Sequence, residues 1–224
     1  MGSYWLTKSK FIRGLQCPKA LFYDIYHKEY AVISPELQQK FRQGRAFEKT
    51  FKDQWTKGID VSKLLGWRME DYAPTTQQLL QQNGEITLYE AGFLYNGVLV
   101  LIDVLHKDSS GNIDLYEVKN SSQEKQVFHD DIAIQYYATH HSLSNIQHFY
   151  LVLHDEQDNF LLHDILPETR ERLYEIENQV EELKKVVNNA EPQIKMSEHC
   201  HTPYDCPYIK HCSNSQQQLT LSFE

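Results

Sequence analysis

The segment 98–120, VLVLIDVLHKDSSGNIDLYEVKN, constrains the fold more than any other part of the chain. Two runs of apolar and β-branched residues flank the turn Asp-Ser-Ser-Gly, which predicts a β-hairpin. The first run is almost wholly apolar, as is typical of a strand buried on both faces. A hairpin that folds back at this turn places Asp103 opposite Glu117. Period-two alternation then places Glu117 and Lys119 on one face of the second strand and Val118 on the other.

Asp103 lies in the middle of the apolar strand, where an ionised carboxylate costs free energy unless another group compensates its charge. A divalent cation shared with Glu117 would compensate it. The alternative is a buried ion pair between Lys119 and Asp103 or Glu117, which has only a structural role. The hairpin alone leaves both interpretations open.

A helix is predicted from Pro35 to about Trp55, because Ser34 is a favourable N-cap and proline is favourable at the first helical position. Glu48 shares one face of this helix with Phe51, so its carboxylate lies in an apolar stripe, which indicates a functional role. The neighbouring row of the helix is basic and contains Arg45, Lys49 and Lys52. This row either guides phosphates or is a solvated charged flank.

The rest of the pattern predicts further strands and helices around the hairpin. Asn96-Gly97 is a strong hairpin signal and would join a preceding strand to Val98, which gives a three-stranded antiparallel meander. The other predicted elements are a strand at Ile86–Tyr95, a helix at Lys125–Leu143, strands at Ile146–His154 and Phe160–Ile165, and a long helix opening at Pro167. The expected fold class is α/β, with a mixed central sheet flanked by helices.

Length and charge limit the possible classes of protein. A chain of 224 residues fits a single domain with a substantial core. Its net charge of −9 argues against a protein that coats nucleic acid non-specifically. No apolar run approaches the ~20 residues that cross a bilayer. The N-terminus lacks the apolar core of a signal peptide. We therefore expect a cytoplasmic protein with no membrane partner.

The four cysteines predict a metal site, because no secretory signal suggests an oxidising compartment. Three are evenly spaced near the C-terminus and one is remote: Cys200, Cys206, Cys212 and Cys17. Four thiolates can hold a [4Fe–4S] cluster or a structural zinc. Zinc ribbons usually use Cys-x-x-Cys pairs, which are absent here. Free or disulfide-bonded cysteines are the third possibility, and the neighbouring alternative ligands are His199, His201 and His211.

Taken together, these motifs resemble the PD-(D/E)XK nuclease superfamily. The remote cysteine and the C-terminal trio resemble the iron–sulfur site of RecB-like exonucleases of the CRISPR-associated and AddB types. The resemblance runs from about Thr7 to Cys212 through five motifs in the family's order. The first motif is TKSKFIRGLQCPKALFY, and the second is RQGRAFE, a helix motif whose last residue is Glu48. The third is Asp103, the fourth is Glu117-Val118-Lys119, and the fifth is Gln135 in DIAIQYYATH. The chain departs from the family in having Thr139 where a tyrosine follows the glutamine, and in the equal gaps of its cysteine trio.

The resemblance implies a restriction-endonuclease-like core in a single domain, 1–212. A [4Fe–4S] cluster on Cys17, Cys200, Cys206 and Cys212 would join the chain ends. Residues 213–224 would form a disordered tail. The implied ligands of Mg²⁺ or Mn²⁺ are Glu48, Asp103, Glu117 and the Val118 carbonyl. The implied catalytic residues are Asp103, Glu117, Lys119 and Gln135. Lys119 would orient or deprotonate the attacking water, and Gln135 would position Lys119 or the DNA. The expected DNA contacts are Arg45, Lys49, Lys52, Tyr136 and Tyr137, with the tyrosines stacking on unpaired bases.

The implied function is a metal-dependent DNA exonuclease that acts on single-stranded or frayed ends. DNA repair, recombination and CRISPR adaptation are all open as pathways, and a helicase or an adaptation protein is a possible partner. One alternative is a catalytically silent iron–sulfur module that binds nucleic acid. Another is a redox or sensor protein that carries the cluster.

The C-terminal sequence QLTLSF resembles the hexapeptide by which bacterial repair and replication proteins dock on the sliding clamp. In such a peptide a glutamine enters a polar pocket and alternating apolar residues fill a groove. The corresponding residues here are Gln218, Leu219, Leu221 and Phe223. The alternative is an ordinary polar tail that contains a few apolar residues.

Overall fold

The computed structural model describes residues 6–214. Residues 1–212, interpreted above as one domain, fall into two compact units. The described part of the first unit contains residues 6–8 and 40–176, and that of the second contains residues 9–39 and 177–214. Segments from both ends of the chain therefore form one unit. Within the described residues, no helix has the length and apolar character needed to span a membrane.

Within residues 6–214, seven strands form one mixed sheet in the first unit. The strands are β1 (Leu6–Thr7), β2 (Ile59–Asp60), β3 (Ile86–Tyr95), β4 (Val98–Lys107), β5 (Ile113–Val118), β6 (Ile146–His154) and β7 (Phe160–Asp164). The order across the sheet is β2-β3-β4-β5-β6-β7, and β1 pairs with β4. The pairs β3–β4, β4–β5 and β6–β7 are antiparallel, whereas β1–β4, β2–β3 and β5–β6 are parallel. The expected mixed sheet and its antiparallel meander are confirmed.

Turn chemistry explains the two hairpins of the meander. Asn96 and Gly97 both have positive φ, 47° and 75°, as a two-residue hairpin loop requires. In the second turn, the Asp108 carboxylate accepts hydrogen bonds from the backbone N–H groups of Ser110 and Asn112, both at 2.8 Å. Gly111 supplies the positive φ of 87° there. The two turns fix the register of β3, β4 and β5.

The helices are α1 (Lys8–Gln16), α2 (Pro18–Tyr26), α3 (Pro35–Lys52), α4 (Val61–Leu65), α5 (Tyr72–Leu80), α6 (Gln126–Thr139), α7 (Leu166–Glu171) and α8 (Leu173–Asn188). Within the first unit, α3, α4, α5, α6 and α7 pack against the sheet. The long helix expected after Pro167 is divided into α7 and α8, with a break at Arg172. Residues 209–214 are helical, so ordered structure extends into the segment 213–224 that was expected to be disordered.

The core next to the hairpin is built from aromatic and β-branched side chains. Phe51 of α3 is 1% exposed and packs with Tyr89, Tyr116 and Val152 of the sheet. The Tyr89 hydroxyl donates to the carbonyl oxygens of Lys52 and Trp55, both at 2.8 Å, and these bonds fix the C-terminal end of α3. This packing holds the last turns of α3, including Glu48, against the strands that carry the predicted site.

Candidate active site

The central hairpin brings its charged residues together as the alternation predicts. Val104 pairs with Tyr116, so the preceding Asp103 lies across from Glu117. The backbone N–H of Val118 donates to Asp103 Oδ2 at 2.8 Å. Lys119 Nζ lies 2.7 Å from Glu117 Oε1. The Val118 side chain is instead buried in the core.

Glu117 is 1% exposed and is bound on several sides. Lys8 Nζ donates to both of its carboxylate oxygens, at 2.7 and 2.8 Å. Gln135 Nε2 donates to Oε2 at 2.7 Å. Lys8 was not among the predicted site residues. It is the first residue of α1, and no local pattern connects it with a strand more than a hundred positions later, so the sequence carries no signal for this contact.

Lys119 also forms an ion pair with Asp131 of α6. The Asp131 carbonyl oxygen accepts from Gln135 Nε2 at 3.1 Å, so Asp131 and Gln135 line the same side of the helix. Asp131 was missed in the sequence, although its position four residues before Gln135 places both on one face. The Gln135 Oε1 atom is buried and has no hydrogen-bond partner within the described residues.

Three further carboxylates are grouped beside the hairpin. Oxygen atoms of Glu48, Glu90 and Asp103 all lie within 4.8 Å of one another. Glu48 and Asp103 were predicted, whereas Glu90 was not. Lys52 forms ion pairs with Glu48 and with Glu90, the latter at 2.7 Å. Glu90 has φ +53° within β3, and such a conformation is uncommon for a non-glycine residue and occurs often at functional sites.

Burial and neighbouring charges shift the pKa values of the two carboxyl groups of the hairpin in opposite directions. Burial, and then the charge of Glu117, raise the pKa of Asp103 well above its usual value. Burial also acts to raise the pKa of Glu117, but the ammonium groups of Lys119 and Lys8 outweigh it and lower this pKa to about 2. Burial likewise raises the pKa of Glu90, against the opposing effect of Lys52. Paired carboxyl groups whose pKa values are separated in this way are typical of catalytic sites.

The three predicted basic residues of α3 differ in exposure and in their ion-pair partners. Arg45 and Lys49 are exposed, and Lys49 forms an ion pair with Asp53 at 2.7 Å. The Lys52 side chain is only 14% exposed and contacts the two glutamates of the carboxylate group. Lys52 therefore compensates acidic charge inside the site and is not placed for contact with a phosphate backbone.

Tyr136 and Tyr137 do not fit the expected role of stacking on bases. Both are buried in α6, at 8% and 3% exposure. Tyr136 stacks on His140, with ring centroids 5.3 Å apart. Tyr137 packs edge-on against Tyr95, and its hydroxyl oxygen accepts from Asn96 Nδ2 at 3.0 Å. Their rings belong to the core because α6 is buried along most of its length.

The four cysteines belong to the second unit and line one cavity of about 20 Å³. Burial raises the pKa of Cys206 to about 11 and also raises the pKa of Cys17 and Cys212. Positive charge opposes these shifts, from Arg13 at Cys206 and from Lys19 at Cys17 and Cys212. Among the described residues, no three of these sulfur atoms lie within 4.8 Å of one another.

The sulfur spacing bears on the choice of metal. Four thiolates on one zinc ion, each bound at ~2.3 Å, lie roughly 4 Å apart in a tetrahedron. The described sulfur atoms do not have that spacing. The predicted clamp-binding residues, Gln218, Leu219, Leu221 and Phe223, lie outside the described residues.

No model of a known protein family matches the chain, and a search of curated proteins likewise finds no match. The resemblance to the nuclease superfamily therefore remains an expectation from the sequence motifs.

Proposed function

We propose that the protein is a metal-dependent nuclease that hydrolyses phosphodiester bonds at single-stranded or frayed DNA ends. The observation that carries the proposal is the convergence of Asp103, Glu117 and Lys119 on one hairpin, with Glu48 and Glu90 grouped around Asp103. A restriction-endonuclease-like core is the finer fold assignment that belongs to this proposal.

The carboxylate group has the donor chemistry of a site for Mg²⁺ or Mn²⁺, since both ions favour oxygen ligands. Glu48, Glu90 and Asp103 would hold the metal, and Glu117 and the Val118 carbonyl would complete the ligand set that the resemblance implies. Burial, and then the charge of Glu117, raise the pKa of Asp103, and a bound cation would offset both effects. When bound, the ion supplies a Lewis acid that polarises a phosphoryl oxygen and makes water more acidic.

The residues of the hairpin have separate tasks. The Lys119 ammonium group offsets negative charge on the phosphate as the new bond forms and orients the attacking water. Lys8 compensates the charge of Glu117, so that this carboxylate stays ionised in its buried position. Gln135 holds Glu117 through its Nε2 atom, and its buried Oε1 atom is available to accept a hydrogen bond from water.

We also propose that Cys17, Cys200, Cys206 and Cys212 hold a [4Fe–4S] cluster. The observation that supports it is that all four thiols line one cavity. Burial raises the pKa of Cys17, Cys206 and Cys212, and the positive charge of Lys19 and Arg13 opposes that rise without cancelling it.

The test is an incubation of anaerobically purified protein with end-labelled single- and double-stranded DNA and Mn²⁺. We expect degradation that requires Mn²⁺ and is lost in Lys119→Ala, and the position of the label gives the polarity. Intact DNA after incubation with the cluster-loaded, folded wild-type protein would contradict the proposed activity.

The same proposal includes a cytoplasmic location, a helicase or adaptation partner, and docking of the tail on a sliding clamp. Titration of the tail peptide with a bacterial clamp tests the last of these.

One observation favours a second candidate, a catalytically silent module that binds nucleic acid. Glu117 is already engaged by Lys8, Lys119 and Gln135, as in a buried ion-pair network that only stabilises a fold. This candidate predicts that DNA binds without being degraded, and that Mn²⁺ does not change the thermal stability.

A further inference from the structure

Trp67 is the most exposed large apolar side chain among the described residues, at 97% exposure. It follows α4 directly after Gly66, whose φ of +57° ends the helix and turns the chain outwards. The backbone around it is fixed by bonds from Arg68 N to the Leu65 carbonyl at 3.2 Å and from Met69 N to the Trp67 carbonyl at 2.9 Å. The indole ring is therefore exposed to solvent on an ordered backbone, where folding buries almost none of its apolar surface.

The Trp67 segment is anchored to β3, the strand that carries Glu90. The buried Tyr72 donates from its hydroxyl to the Gly66 carbonyl oxygen at 2.8 Å. At its other end, Tyr72 packs on Gly92 of β3, where an added Cβ would lie 2.5 Å from the Tyr72 Cβ. Gly92 is two residues after Glu90, and the charge of Glu90 acts on the Tyr72 hydroxyl. One tyrosine side chain therefore connects the strand of the site with the residue that precedes Trp67.

The surroundings of Trp67 favour a base over an apolar protein surface as its partner. Leu64, at 54% exposure, is its only exposed large apolar neighbour within the segment 61–72, whereas protein-binding patches usually cover several hundred Å² of apolar surface. Two exposed cations, Lys63 and Arg68, and the exposed Glu70 lie within four residues of Trp67 in the sequence. Lys63 and Arg68 have side chains 82% and 63% exposed, and their ion pairs with Asp60 and Asp71 are at the surface, where such pairs contribute little. One exposed aromatic ring beside cations is the arrangement that binds single-stranded nucleic acid.

We propose that Trp67 stacks on an unpaired base of single-stranded DNA while Lys63 and Arg68 contact the adjoining phosphates. This inference rests on the proposed nuclease function for its substrate class. It assigns a binding role to a residue that no sequence motif marked, and Tyr72 connects the residue before it to the strand that carries Glu90. It also replaces Tyr136 and Tyr137 as the source of base stacking.

The experiment is a fluorescence anisotropy titration of labelled oligodeoxythymidylate with the full chain in EDTA, so that hydrolysis does not interfere. Base–aromatic stacking predicts that Trp67→Ala raises Kd by about 5- to 100-fold, and that Trp67→Phe raises it less. Tyr174→Ala is the matched control, because Tyr174 is 76% exposed and lies outside this segment. We expect its Kd to equal that of the wild type. On a strand of abasic residues, wild type and Trp67→Ala should bind alike.

Equal affinity of Trp67→Ala and wild type for oligodeoxythymidylate would overturn the inference. So would a loss of the same size on the abasic strand, or a wild type that binds neither strand and instead captures a protein through Trp67. The nuclease proposal is judged separately by hydrolysis. If DNA is degraded but binding does not depend on Trp67, the nuclease proposal stands and the stacking role is wrong. If binding depends on Trp67 but DNA is not degraded, the stacking role stands and the nuclease proposal is wrong.

Discussion

Replacing Asp103 by asparagine should stabilise the metal-free protein. Carboxylate oxygens of Asp103, Glu48 and Glu90 lie within 4.8 Å of one another. At an effective dielectric constant of ~20, each pair of like charges at that distance repels by roughly 3 kcal/mol. Lys52 compensates the two glutamates and reduces the net repulsion. Asparagine keeps an oxygen that accepts the 2.8 Å bond from Val118 N. We expect the free energy of unfolding to rise by ~1–3 kcal/mol, or about 2–10 °C in Tm.

The same substitution should abolish stabilisation by metal. A ligand at about 100 times its Kd stabilises the folded state by ~2.7 kcal/mol. Thermal unfolding in EDTA and in Mn²⁺ should therefore show an Mn²⁺-dependent rise in Tm for the wild type and none for Asp103→Asn. Asp114→Asn is the matched control. Asp114 lies in the same sheet and its pKa is also raised by burial, but it is outside the carboxylate group. It should retain the Mn²⁺ effect. A lower Tm in EDTA, or a full response to Mn²⁺, in Asp103→Asn would refute this reasoning.

The pH dependence of the Asp103→Asn effect follows from the sign of the shift. The pKa of Asp103 is higher in the folded state than in the unfolded state, so the folded state binds more protons between the two values. Stability of the metal-free wild type therefore falls as pH rises through that window. The advantage of Asp103→Asn should be small near pH ~4, the ordinary pKa of an aspartate, and should grow as pH rises. A stability difference that does not change with pH would contradict the raised pKa.

Three further substitutions test the rest of the site and the cysteine cavity. Lys119→Ala leaves Glu117 and Asp131 buried without their shared cation, so urea denaturation should show a loss of ~3–5 kcal/mol. The pKa of Glu117 is lowered to about 2, so its stabilising charge is fully present above its ordinary pKa of 4.5 and lost as pH falls through about 2. Glu117→Gln should therefore be less stable than wild type at neutral pH, with a difference that shrinks on acidification. Cys206→Ser should lower the iron content and visible absorbance of anaerobically purified protein, whereas His199→Ala should leave both unchanged.

The hairpin could be predicted because its information is local. Alternating residues define the faces of a strand, and the turn fixes the register, so Glu117 and Lys119 meet as the sequence requires. Strand β6 has the predicted bounds, Ile146–His154, for the same reason. The last turns of α3 could also be predicted, because helical spacing places Glu48 and Phe51 on the same face.

The contacts between distant segments could not be predicted. No pattern in the chain connects Lys8 with Glu117, because their meeting depends on how β1 pairs with β4. Glu90 occurs in a run of strand-forming residues, and the positive φ of its backbone leaves no mark on composition. Lys8 and Glu90 can be recognised as site residues only from the structure, in which the strands are paired.

Exposure was the other property that the sequence could not supply. Tyr136 and Tyr137 belong to a helix that is buried along most of its length, whereas Trp67 follows a short helix and is exposed to solvent. Lys52 shares helical spacing with the exposed Lys49, but its neighbours across α3 and β3 are carboxylates. Residue type alone therefore did not predict which of these side chains are exposed to solvent.

The central claim is tested most directly by the single-turnover rate at which the Mn²⁺-loaded protein cleaves end-labelled single-stranded DNA, measured for wild type and Asp103→Asn. Because Asp103→Asn is expected to be the more stable protein without metal, its loss of activity would not reflect unfolding. We predict Mn²⁺-dependent cleavage by the wild type and none by the variant. Cleavage that Asp103→Asn retains, or a wild type that binds DNA and leaves it intact, would contradict the assignment of this site.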